Sequence, residues 1–159
     1  MSAEGRPEET AVDGTGLTVA VVHGTWHPAI ADGLLAGARR LLEAAGAEVQ
    51  LVEVPGSFEL PVVAQAALNA GADAVVALGV IIRGGTPHFD FVADAATRGL
   101  TDVALVTGKP VGFGVLTLDD EQQGLDRAGL PGSKEDKGAE AATTALRTAL
   151  TLRALRPAG

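Results

Sequence analysis

The stretch 74-AVVALGVIIRGGTPHFDFV-92 carries an almost unbroken aliphatic run into an arginine, two glycines and an amphipathic segment. An apolar run that does not alternate reads as a strand buried on both faces, the mark of a parallel sheet covered by helices. Thr86 is a good N-cap and Pro87 suits the first helical position, so a helix is expected to start directly after the glycines. The stretch is therefore one strand, one tight turn and one helix start, the repeating piece of a βαβ chain.

Working outward, the same alternation recurs. Strand-like runs stand at 17-LTVAVV-22, 49-VQLVEV-54, 74-AVVALGVII-82 and 103-VALVT-107, and a fifth, short strand is expected at 111-VGFGVLT-117. Between them, residues 28–45 place Ile30, Leu34, Leu35, Ala38, Leu41 and Leu42 on one helical face, with Gly46 as a stop. A helix from Ser57 to Ala70 ends at Gly71, and the helix beginning at Thr86 is expected to close at Gly99. Two more follow near Asp119–Ala128 and Lys137–Leu155. The expected fold is α/β, a three-layer αβα sandwich around a central parallel, flavodoxin-like sheet. Residues 1–16 are polar, acidic and glycine-rich and read as a flexible tail, leaving 17–159 as a single domain.

The bulk figures narrow the function. At 159 residues and 47% hydrophobic the chain can bury a proper core, and with 3% aromatics that core must be built from Ala, Val and Leu. A formal net charge of −8 argues against nucleic acid, which wants clustered Lys and Arg. The absence of cysteine removes disulfides and thiolate metal sites. Neither a signal peptide nor a membrane-length apolar run is present, so a cytoplasmic location is expected.

In a doubly wound sheet, ligands bind outside the carboxyl ends of the strands. Three loops lie there: 23-HGTWHP-28, 55-PGSFELP-61 and 83-RGGTPH-88. At the third, free helix N–H groups and flanking glycines suit an anion such as phosphate, and the Thr86 hydroxyl adds a donor. His88 falls in the first helical turn, where an imidazole could move protons beside that anion. Ordinary helix capping and a surface histidine explain the same residues. At the second loop Ser57 reads as an N-cap, and Glu59 as a partner for the helix dipole. In the first, Trp26 could stack on a planar heterocycle or merely pack at the rim. His23 and His27 have no third ligand nearby, which speaks against a metal. No GxGxxG follows the first strand, which weakens a dinucleotide reading. Arg127 and Lys137 are ordinary solvated charges unless a phosphate requires a cation beyond the backbone donors.

Taken together, 55-PGSFELP-61, 79-GVIIRGGTPHFDFV-92, 110-PVGFGVLT-117, 126-DRAG-129 and 137-KGAEAA-142 resemble 6,7-dimethyl-8-ribityllumazine synthase, over nearly all of Leu17 to Leu155. Trp26 and the terminal ALTLRALR are most like actinobacterial members. The resemblance implies the penultimate step of riboflavin synthesis, in which 5-amino-6-(D-ribitylamino)uracil condenses with 3,4-dihydroxy-2-butanone 4-phosphate and phosphate and water leave. It implies no metal and no organic cofactor. Trp26 would stack on the pyrimidine, and Ser57, Phe58, Glu59 and the backbone of Val80, Ile81 and Ile82 would contact ring edge and ribityl chain. Gly85 and Thr86 would hold the phosphate, joined by Arg127 from a neighbouring subunit. Phe113 of that neighbour would close the site, Lys137 would meet the ring carbonyl side, and His88 would shuttle protons. The family usually has Glu or Gln where Gly85 stands, so a side-chain contact is lost there while backbone donors remain.

The resemblance also implies a homo-oligomer with sites between subunits. The connection 130-LPGSKED-136 is about two residues longer than in members that build sixty-subunit shells, which favours a free pentamer. The competing readings are a non-catalytic flavin- or lumazine-binding or shell protein on the same scaffold, and a generic phosphate-binding flavodoxin-like domain.

Overall fold

A computed structural model describes residues 4–8 and 10–157. Of the tail expected over 1–16, residues 1–3 and 9 lie outside the described residues, as do 158 and 159 of the domain. The chain runs β1 (Thr18–Gly24), α1 (Pro28–Ala44), β2 (Glu48–Val54), a 3-10 turn (Ser57–Glu59), α2 (Leu60–Asn69), β3 (Ala74–Ile82), α3 (His88–Thr107), β4 (Val111–Leu118), α4 (Glu121–Leu125) and α5 (Lys137–Leu155). The four strands form one parallel sheet in the order β2-β1-β3-β4. Two apolar layers cover it. Ile30, Leu34, Ala38 and Leu42 of α1 and Ala142, Ala145 and Leu146 of α5 pack on one face. Leu60, Ala64 and Leu68 of α2 and Leu100 and Val103 of α3 pack on the other. This is the three-layer flavodoxin-like sandwich that the apolar runs predict.

Small residues bring the layers close, as the scarcity of aromatics implies. A Cβ on Gly112 of β4 would collide with the Ala141 carbonyl of α5, and one on Gly138 with the Leu34 backbone of α1. Asp136 fixes the start of α5: its Oδ1 accepts from the Ala139 amide at 3.0 Å, and its Oδ2 pairs with Arg40 of α1 at 2.9 Å.

Several local expectations are corrected. The run 103-VALVT-107 is not a strand but the last turns of α3, so the sheet has four strands rather than five. Leu100 and Val103 continue the buried face that Ala96 begins, while Leu105 and Val106 are exposed: a helical period outweighs β-branched composition. Gly99 does not stop that helix. It sits inside it against Pro61, and the stop is Gly108, left-handed at φ 66°. Pro87, not Thr86, is the N-cap of α3, and Gly56, not Ser57, precedes the 3-10 turn.

Candidate active site

The sheet order sets the place. The chain leaves β1 for β2 on one side and returns to β3 on the other, so the loops after β1 and β3 part at a topological switch point. A cavity of about 400 Å³ opens there. Its walls are Trp26 and His27 after β1, the Gly56–Glu59 turn after β2, Val80, Ile81 and Ile82 at the end of β3, and Gly84, Thr86, His88, Phe89 and Val92 from the glycine turn into α3.

Each wall is held for a physical reason. Thr25 ties the first loop to the second, its amide and hydroxyl both donating to the Pro55 carbonyl at 3.3 and 2.8 Å. The Trp26 indole lies across Gly56, where a Cβ would come within 3.1 Å of the ring, and it remains 66% exposed. His27, the N-cap of α1, is left-handed at φ 55°, the one such non-glycine residue among those described. Backbone of this kind is held only where its surroundings demand it, and it borders the cavity. Ser57 is buried over Gly79 of β3. The Glu59 carboxylate accepts from the Gly56 amide at 3.0 Å, so it closes its own turn while facing the cavity.

His88 is the first residue of α3, and its amide is 3.5 Å from the Thr86 hydroxyl. The turn before it is open: a Cβ on Gly84 or Gly85 would meet nothing within 4 Å. Arg83 stands at the head of this turn, its guanidinium 4.3 Å from the Phe89 ring centre and 3.2 Å from Asp119.

Of the residues singled out in the sequence, Trp26, Ser57, Phe58, Glu59, Val80, Ile81, Ile82, Thr86 and His88 are brought to this one cavity. Gly85 lies in the turn beside it. Phe113, Arg127 and Lys137 do not line it. Phe113 is 47% exposed on β4, at the edge of the sheet. Arg127 and Lys137 are neighbours across an antiparallel bridge between Ala128 and Asp136, and the Lys137 amide donates to the Arg127 carbonyl at 2.9 Å. Glu135 lies between the two cations, 3.8 Å from Arg127 and 3.5 Å from Lys137, and Glu140 is 2.8 Å from Lys137. Gly84, read in the sequence as part of the anion-binding turn, also lines the cavity, whereas sequence reasoning passed over Phe89 and Val92 and weighed His27 only as a metal ligand. Helical spacing from His88 would have found Val92, which lies one turn on.

A second cavity of similar size lies between α1 and α5, beside Thr10, Ala11 and Val12. Among the described residues its one ionisable side chain, Arg40, is paired with Asp136, so it offers little chemistry. No helix among the described residues is long and apolar enough to cross a membrane.

Comparison with known proteins points to one family. The family model for 6,7-dimethyl-8-ribityllumazine synthase matches residues 16–153. A protein of that name from Clavibacter sepedonicus is 72% identical, over 99% of this chain and 100% of its own. One from Leifsonia xyli subsp. xyli is 72% identical over 98% and 99%. One from Streptomyces avermitilis is 57% identical over 98% and 97%.

Proposed function

The chain belongs to the 6,7-dimethyl-8-ribityllumazine synthase family, and on that premise we propose that the cavity at the switch point is where its reaction takes place. The enzyme is a transferase of riboflavin biosynthesis. It condenses 5-amino-6-(D-ribitylamino)uracil with 3,4-dihydroxy-2-butanone 4-phosphate to 6,7-dimethyl-8-ribityllumazine, releasing phosphate and water.

The observation that carries the site is convergence: an exposed indole, a carboxylate turn, a strand end and a helix N-terminus bearing a histidine border one cavity of about 400 Å³. Trp26 stacks on the pyrimidinedione. Ser57, Phe58 and Glu59 and the backbone of Val80, Ile81 and Ile82 contact the ring edge and ribityl chain. Gly85 and Thr86 hold the phosphate at the start of α3, where unpaired amides and the helix dipole favour an anion. His88 takes and returns protons as the amine adds to the ketone, water leaves and phosphate is eliminated. None of these steps needs a nucleophile from the protein, so holding the reactants in line supplies much of the rate.

Arg127, Lys137 and Phe113 complete the site from an adjacent copy of the chain, Arg127 at the phosphate, Lys137 at the ring carbonyl and Phe113 as a cover. None of the three lines the cavity in its own chain, which supports this reading. The assembly is a homopentamer, the enzyme is cytoplasmic and its ligands are small molecules. Residues 17–159 form one domain behind the 1–16 tail.

The test is direct. Purified protein mixed with both substrates is expected to form fluorescent lumazine well above the spontaneous rate, and His88→Ala is expected to lose about 10²–10⁴-fold in kcat. A wild-type rate equal to background would end the reading.

A further inference from the structure

We infer that Arg83 is the positioning residue that holds the glycine turn and His88 in working geometry. The inference rests on the proposed site and extends it to a residue outside the cavity wall.

The turn has little of its own to fix it. Gly84 and Gly85 touch nothing that a side chain would meet, and neither occupies the left-handed region. The contact of Thr86 with the His88 amide, at 3.5 Å, is at the far limit of a hydrogen bond. Residues 83–88 are all exposed. Such a segment keeps much of its backbone freedom unless its ends are clamped.

Arg83 is that clamp. Its amide donates to the Leu118 carbonyl at 2.8 Å, which fixes its backbone to the end of β4. From there its guanidinium lies 4.3 Å from the Phe89 ring centre, with Nη1 3.7 Å from Asp90 and Nε 3.2 Å from Asp119. The residue before the turn thus grips the two residues after His88, with Asp119 as anchor. A planar guanidinium can stack on a ring and pair with carboxylates at once, which an ammonium cannot do in the same way. Phe89 lines the cavity and Arg83 does not, so Arg83 acts through Phe89 and the turn.

Steady-state kinetics of Arg83→Met and Arg83→Lys, each also in a Gly85→Ala background, test this. Arg83→Met is expected to raise KM for the phosphate-bearing substrate about five- to tenfold, with Arg83→Lys recovering only part of the loss. A Cβ at Gly85 stiffens the turn by itself, so in that background Arg83→Met is expected to cost less than about twofold. Asp119→Asn, which weakens the anchor without touching the arginine, is expected to reproduce the KM rise and serves if Arg83→Met folds poorly. KM values of the Arg83 and Asp119 variants within about twofold of wild type would overturn the inference, as would an undiminished loss in the Gly85→Ala background. Wild-type protein that forms no lumazine would instead overturn the reading of the site.

Discussion

At the scale of single residues, Gly85 is the informative departure. Its φ lies outside the left-handed region and its Cβ would meet no atom within 4 Å, so neither a left-handed backbone nor a close neighbour demands glycine there. Gly85→Gln is therefore expected to raise unfolding stability by about 0.4–1 kcal/mol by restricting the unfolded chain. It is also expected to lower KM for the butanone phosphate by adding a donor at the turn. A thermal melt and a substrate titration check both, and a lower Tm would mean that the turn needs glycine after all. His23 gives a different residue-scale prediction. Burial pulls its imidazole below the ordinary 6.5, against the opposing pull of Glu53 and Asp32. The unfolded chain then takes up the proton first as pH falls. The contribution is complete above about pH 6.5 and is lost as pH drops through the window beneath it. Urea midpoints measured from about pH 7.5 to 5.5 are expected to decline more in wild type than in His23→Gln, and parallel curves would refute this. Legibility at this scale was uneven. Glu59 could be read as a helix-start carboxylate, but its bond to Gly56 depends on a turn whose 3-10 geometry no local pattern announces.

At the scale of elements, Gly99 decides between two effects of opposite sign. In an exposed helix interior, Gly→Ala gains about 1 kcal/mol of propensity. Here the new Cβ would come to 2.6 Å from Cγ and 2.8 Å from Cβ of Pro61, a ring too rigid to swing aside. Overpacking of that kind costs about 1–3 kcal/mol, so Gly99→Ala is expected to lower stability despite the better helix former, measured as a fall in urea midpoint. A rise would show that α2 and α3 can separate freely. The same residue explains the misread strand. Gly99 looks like a stop from sequence because its packing role depends on Pro61, thirty-eight positions earlier. With a stop placed there, 103-VALVT-107 had no helix to belong to. By contrast, β3 was legible to both ends, because burial on both faces writes itself directly as unbroken apolar sequence.

At the scale of the whole molecule, the layers were legible and the completed site was not. Alternating apolar runs and amphipathic segments fix a three-layer sheet, and a parallel sheet fixes which loops meet a ligand. The role proposed for Phe113, Arg127 and Lys137 in an adjacent copy has no pattern in one chain to announce it, since a contact between copies leaves no period in the sequence. The single chain leaves Phe58, Val62, Phe91 and Phe113 exposed, which suits burial against a neighbour. Light scattering is expected to give five times the 16.0 kDa chain mass rather than a shell. A stronger test asks whether neighbours share sites. In a ring of head-to-tail contacts, each cavity pairs the His88 of one chain with the Arg127 of the next. His88→Ala and Arg127→Ala proteins, each weak alone, are expected to recover activity when co-expressed. Random mixing in equal amounts leaves about a quarter of the sites with both residues intact. Recovery toward that fraction requires complementation between chains. If the mixed assembly were no more active than the two variants separately, Arg127 would have to serve its own chain or none, and the cavity would have to work with the residues that line it alone.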